Sequence, residues 1–225
     1  MAKGQAENNE IDAAEKIALV IAKYRVLILA FLAVCAAAIL GTAAYHIIRS
    51  ELQKRAIITL TALEQRLSDI PDPADETKTL EVQALVAEFT NLGESSFGYA
   101  AAKAYSRAGG IYAKRGEWAK AEEAWNLSAE KGRALYLMPL SLFNAAAAAE
   151  EQGKLDTAIE YFQKSLAFPG NNPASAHARF NIGRIYEAEG KNTEAVEAYR
   201  ELVESESADS AWVRLAHSRI IYLGG

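Results

Sequence analysis

The sequence predicts an all-α chain: one N-terminal membrane-spanning helix, then an α-solenoid of stacked helical hairpins. Three observations carry that class. The first is a recurring spacing. Gly109, Tyr112, Gly116, Ala121 and Trp125 return as Ala146, Ala149, Gly153, Ala158 and Phe162, and again as Gly183, Tyr186, Gly190, Ala195 and Tyr199. The middle glycines share one interval, 37 residues by subtraction of their numbers. Small residues let two helices approach closely, and aromatics fill the wedge where the pair diverges. The second is residues 26–48, a run of 23 without a charge. The third is composition: 51% hydrophobic residues with only 14 Gly and 5 Pro in 225 suits a helical fold with a sizeable core.

Taken in order, residues 1–25 read as a tail, with residues 1–10 disordered and a short amphipathic helix after them. Asp12 and Glu15 have the capping-box spacing that starts a helix, and Ile17, Val20, Ile21 and Tyr24 share a face. Residues 26–48 exceed the roughly 20 apolar residues that cross a bilayer core. Tyr24 and Tyr45 lie 21 apart, about 31 Å along a helix, which sets both rings at the headgroup belts. A cleaved signal peptide fits less well, because the run is too long and no small-x-small cleavage pattern precedes a polar region. A lipoprotein signal ending at Cys35 fits no better, with bulky Val34 before the cysteine and a long apolar run after it. The flanks do not decide orientation: Lys16, Lys23 and Arg25 balance Arg49, Lys54 and Arg55. Ala33, Ala37 and Gly41 lie on one small-residue face suited to helix association in the membrane.

Residues 49–93 are expected to continue the helix and close a divergent hairpin. Leu52, Ala56, Leu60, Leu63 and Leu67 keep a helical stripe until the prolines at 71 and 73. Asp75 caps the next helix, whose buried face is Val82, Leu85, Val86 and Phe89 and which stops at Asn91 and Gly93. Three repeats follow at 102–135, 139–172 and 176–209, with prolines at the junctions 137–139 and 168–173, where a helix cannot continue. Residues 211–225 close the array. Their AWVRLAHSRII aligns with AHARFNIGRIY at 176–186, so they read as the first helix of a repeat without its second.

These spacings, and GKLDTAIEYFQKSL at 153–166 above all, resemble the tetratricopeptide repeat (TPR), a helical hairpin of roughly 34 residues. Ser128, Ser165 and Leu202 depart from it, standing where that family usually has Ala. The layout as a whole, together with FGYAAAKAY at 97–105, resembles the YfgM-like proteins of bacterial envelopes. That resemblance implies an N-terminus in the cytoplasm, repeats in the periplasm, and an ancillary role beside the Sec translocon and periplasmic chaperones.

Charge and chemistry narrow the function classes. Net charge is -5, and residues 49–225 carry 20 Lys/Arg against 25 Asp/Glu, so this acidic part is no nucleic-acid binder. The single Cys35 excludes an internal disulfide or a cysteine-based zinc site. His46, His177 and His217 sit on different elements, with no nucleophile and base at neighbouring positions. Glycines fall at turn offsets, not in a phosphate-binding loop. Glu122 with Glu123, and Glu150 with Glu151, read as solvated helix faces. No enzyme, cofactor or metal site is expected.

What remains is a surface. The TPR resemblance implies a groove lined by first helices, at Lys103 and Ser106, then Leu140, Phe143 and Glu150, then His177, Phe180, Arg184 and Glu187, then Trp212, Leu215, Arg219 and Tyr222. Aromatics beside arginines are common binding hot spots. Only Asn144 and Asn181 match the family's carboxylate-gripping set. Two function classes stand open. One is a protein-binding adaptor in the bacterial inner membrane with periplasmic repeats. The other is a self-assembling envelope component joined through the small face and the end helix. A third reading, a docking module facing the cytoplasm, differs only in topology.

Overall fold

In the computed structural model the backbone is described at residues 2–168 and 172–225, and side chains from residue 18 onward except 19, 20 and 169–171. Nothing between residues 2 and 68 stops a helix: no proline occurs there, and Gly4 and Gly41 are the only glycines. One helix, α1, accordingly runs Ala2–Ser68. The expected tail and separate amphipathic helix are therefore part of it, and Asp12 lies inside α1 instead of at a start. The side chains of Ile17 and Val20, named on that expected helix's apolar face, lie outside the described residues.

Contacts divide the chain into two units, residues 1–52 and 53–225. In the first, α1 carries an apolar window of mean hydropathy 2.6, none of it buried against protein, long enough to cross a bilayer. Lys23 lies 5.4 Å from the centre of the Tyr24 ring, and Arg49 donates to the Tyr45 hydroxyl at 3.0 Å. Each end of the apolar stretch thus pairs an aromatic with a cation.

In the second unit the end of α1 packs against α2 (Thr79–Ser95) and α3 (Gly98–Lys114). Leu60 and Leu63 meet Val82, Leu85, Val86 and Phe89 in one buried cluster. Asp75 caps a single 3-10 turn, Glu76–Lys78, ahead of α2, not α2 itself; its carboxylate accepts from the Thr77 amide at 2.8 Å. Gly93 does not end α2. A Cβ there would stand 2.6 Å from the Tyr105 ring, so this glycine is a packing position and the helix runs two residues past it.

Three hairpins follow: α3 with α4 (Trp118–Lys131), α5 (Leu137–Glu151) with α6 (Leu155–Leu166), and α7 (Ser175–Ala188) with α8 (Asn192–Ser205). α9 (Ala211–Tyr222) closes the array. Among the described residues there is no strand, and the second unit is an all-α solenoid. The small and aromatic positions meet as their spacing requires. A Cβ on Gly109 would stand 2.8 Å from Trp125, and one on Gly183 2.6 Å from Tyr199. Phe162 is fully buried in the same cluster as Ala146.

Each of these three hairpins turns in one way. Gly116, Gly153 and Gly190 have φ of 70°, 72° and 74°, a left-handed conformation that glycine adopts without a Cβ penalty. The next residue's amide then reaches back to the carbonyl of Tyr112, Ala149 or Tyr186, each at 2.9 Å. Those bonds complete a Schellman motif and satisfy carbonyls that the helix end would leave free.

Two serines explain themselves in the packing. Ser128 donates to the Ala102 carbonyl at 2.7 Å and Ser165 to the Pro139 carbonyl at 2.8 Å, both fully buried. Each ties a second helix to the first residue of its own repeat. Pro139 sits in the first turn of α5, where a missing amide costs nothing, so 137–139 begins the helix instead of separating two. Of the junction at 168–173, residues 169–171 lie outside the described residues.

Candidate functional site

The thirteen positions expected to line a groove lie on α3, α5, α7 and α9, and the structure sorts them into three groups. The first is an aromatic strip. Phe143 on α5 meets Phe162 edge-on at 5.2 Å and lies 4.7 Å from the His177 ring on α7. His177 stacks on Trp212 of α9, centres 4.0 Å apart and planes 14° off parallel. Phe180 lies 5.3 Å from Trp212 and 5.4 Å from Tyr199. Residues far apart in sequence meet because successive first helices present the same two positions to one another. All four strip residues remain partly accessible. Burial, with the charge of Arg184 nearby, holds His177 below the usual imidazole range, so the strip is uncharged at neutral pH.

The second group is a set of ion pairs between neighbouring repeats. Glu150 on α5 binds Arg184 on α7 at 2.6 Å, and Glu187 on α7 binds Arg219 on α9, whose Nε donates at 3.0 Å. Arg184 also donates to Asn181 at 3.2 Å, and Tyr199 donates to Glu187 at 3.1 Å. Hydrogen bonding to Glu150 raises the Arg184 pKa further. Both arginines are therefore held by this chain's own carboxylates. Around them Phe180, Ala188 and Tyr199 help line an open cleft of about 360 Å³.

The third group is peripheral to the strip. Leu215 and Tyr222 project outward on α9, with 47% and 75% of their surface exposed, and Arg219 lies 4.6 Å from the Tyr222 ring centre. Lys103 and Leu140 are half-buried, and Ser106 lines a separate cleft against the end of α1. The membrane-helix residues Ala33, Ala37 and Gly41 are all exposed, with open space beside Gly41.

Sequence reasoning missed one polar cluster. Glu122, expected on a solvated face, accepts from Gln152 at 2.7 Å, Lys154 at 2.9 Å and Tyr161 at 3.4 Å. Only 13% of its side chain is exposed, whereas Glu123 faces water. The donors flank the next repeat's turn and sit on its second helix. Only the stacking of one hairpin on the next brings them to Glu122.

Residues 137–205, spanning α5 to α8, match the tetratricopeptide repeat family. Over 140 residues the chain is 34% identical to a TPR repeat-containing protein of Treponema pallidum, covering 61% of this chain and 58% of that protein. The chain thus spans little more than half the length of that relative. Among solved structures, TPR-like repeats of a Podosopora anserina kinesin light chain align over 78% of this chain and 86% of their own. The TM-score there is 0.48 at 14% identity. TPR repeats are in general non-catalytic scaffolds that bind other proteins.

Proposed function

We propose that this TPR protein is a membrane-anchored, non-catalytic adaptor whose α3-α5-α7-α9 face binds segments of other proteins. The observation that carries the reading is the strip Phe143, His177, Trp212 and Phe180. It runs across three first helices, keeps accessible surface, and is continued outward by exposed Leu215 and Tyr222. Aromatic and apolar side chains backed by rigid helices are what binding hot spots consist of, since little side-chain entropy remains to be lost. The apolar window in α1 supports a single-pass anchor. The layout supports a bacterial inner membrane with the repeats in the periplasm, beside the translocon that delivers unfolded clients.

Two measurements test this. A photo-crosslinking residue at Leu215 or Tyr222, which project from the groove, is expected to capture envelope proteins, and capture is lost in Phe180→Ala with Trp212→Ala. Capture unchanged by that pair of substitutions refutes the groove. Topology is read from Ala119→Cys, at an exposed position just past the turn at Gly116, in a Cys35→Ser background. Labelling by an impermeant thiol reagent in intact spheroplasts is expected, and protection there puts the repeats in the cytoplasm.

A second reading, self-assembly through the membrane helix, draws on the open space beside Gly41 and the exposure of Ala33 and Ala37. Gly41→Leu then abolishes self-association in membranes. An unchanged oligomer removes that reading.

A further inference from the structure

Charge is distributed unevenly along the groove face. At the C-terminal end each arginine has a carboxylate: Arg184 has Glu150 and Arg219 has Glu187. At the N-terminal end, α3 places Lys103, Arg107, Gly110 and Lys114 at spacings of four, three and four, which is one helix face. Here a single carboxylate, Glu64, binds Arg107 at 2.6 Å. Lys103 and Lys114 have no ion-pair partner among the described residues. Burial first, and the neighbouring Arg107 second, press the Lys103 pKa downward against the opposing charge of Glu64.

Arg107 and Lys114 line an open cleft of about 170 Å³, and Lys103 lies beyond its lining on the same face of α3. Its apolar wall is Leu67, Ile70 and Pro73, from the end of α1 and the segment after it. Its opposite wall is α3, where Gly110 leaves open space that a side chain would fill. Among the described residues no carboxylate lines it. The three acids of the 69–75 segment are engaged locally: Asp69 accepts from Gln65 at 3.3 Å, Asp72 from the Ala74 amide at 2.9 Å and Asp75 from the Thr77 amide at 2.8 Å. The cleft is therefore apolar in its wall and cationic at its rim, on a protein whose net charge is -5.

We infer that this cleft binds an acidic, leucine-type segment of a partner protein, one apolar side chain seated over Gly110 and its flanking carboxylates at Lys103 and Lys114. The inference rests on the groove reading and adds to it a direction. Acidic residues of the bound segment lie toward α3, and its aromatic or aliphatic residues toward α7 and α9. Complementary rim charges speed encounter and suppress wrong partners, and their effect weakens with salt.

The test uses the full chain in neutral phosphatidylcholine nanodiscs. Fluorescein-labelled leucine/glutamine dodecapeptides, with glutamines exchanged stepwise for glutamates, are titrated by anisotropy. Affinity is expected to rise with glutamate content and to fall with added salt. Lys114→Glu, at an exposed position that leaves the fold intact, is expected to weaken the acidic peptides about fivefold and the glutamine peptide not at all. Gly110→Leu is expected to weaken all of them by filling the cleft. Equal affinity for glutamate and glutamine peptides overturns the inference but leaves the groove standing if Phe180→Ala with Trp212→Ala abolishes both. No binding that any groove substitution alters overturns both. Light scattering that shows self-association lost in Lys114→Glu makes a second copy the occupant, and that also overturns the inference.

Discussion

Ser128 offers a perturbation whose size follows from hydrogen-bond counting. Its hydroxyl lies 2.7 Å from the Ala102 carbonyl and 2.7 Å from the Ser141 hydroxyl, at the point where α3, α4 and α5 meet. Ser128 has 0% and Ser141 1% of its surface exposed. A hydroxyl has one proton. Since the carbonyl only accepts, Ser128 donates to it, and Ser141 must donate to Ser128. Ser128→Ala then leaves the Ser141 proton buried without its partner, which costs about 2 kcal/mol, while the Ala102 carbonyl keeps its helical bond. Ser141→Ala leaves Ser128 donating as before and removes only the bond that the Ser128 oxygen accepts, costing about 1 kcal/mol. The double variant leaves no orphaned proton, so its cost falls below the sum of the singles by about 1 kcal/mol. Ser165→Ala is the internal comparison. Asn172 keeps its bond to the Ser165 carbonyl at 3.0 Å, so this substitution strands less and costs about 1 kcal/mol. The assay is urea unfolding of the full chain in detergent, followed by far-UV circular dichroism and by amide exchange of α4 and α5. Strict additivity of the Ser128 and Ser141 costs, or a Ser128→Ala chain as stable as the parent, refutes the assignment of donor and acceptor.

Three further outcomes follow from single contacts. Adjacent glycines on α3 are expected to respond with opposite sign. Gly110→Ala, with nothing within 4 Å of its Cβ, stabilises by about 0.5–1 kcal/mol through helix propensity, while Gly109→Ala drives a Cβ to 2.8 Å from buried Trp125 and costs a net 1–2 kcal/mol by melting temperature. His177 has a pKa below its ordinary value of 6.5, so the folded chain binds fewer protons than the unfolded one. Stability is complete above that value, falls as pH drops through it and levels off below the depressed pKa. His177→Phe is expected to flatten that part of the stability-pH curve measured by urea midpoints. Burial first, and the charge of Glu122 second, raise the Tyr161 pKa. Glu122→Gln is therefore expected to move the Tyr161 ultraviolet titration part of the way back toward lower pH and to destabilise the pairing of the first two repeats by about 1–2 kcal/mol.

The solenoid was legible because its code is positional. A small residue, an aromatic three later and a glycine at the turn constrain backbone approach and turn geometry, and each constraint acts within one hairpin. Gly93 misled for a related reason. A glycine that ends a helix and one that admits a ring look alike in sequence, and its ring, Tyr105, lies on the following helix at a different offset from the repeats. Alignment named Phe143, His177, Phe180 and Trp212 among the expected groove positions, and the structure brings these four rings together. The electrostatics of those positions were not legible, because whether a charge is spent or available depends on which helix stacks beside it. Arg184 and Arg219 are expected from sequence as hot-spot groups beside aromatics, and each faces a glutamate contributed by the preceding first helix. α3 has no such predecessor of the repeat type. What stands in its place is the end of α1, which contributes Glu64 and then apolar Leu67. The cations of α3 therefore outnumber their partners, and that difference in neighbours gives a nearly periodic surface two unlike ends.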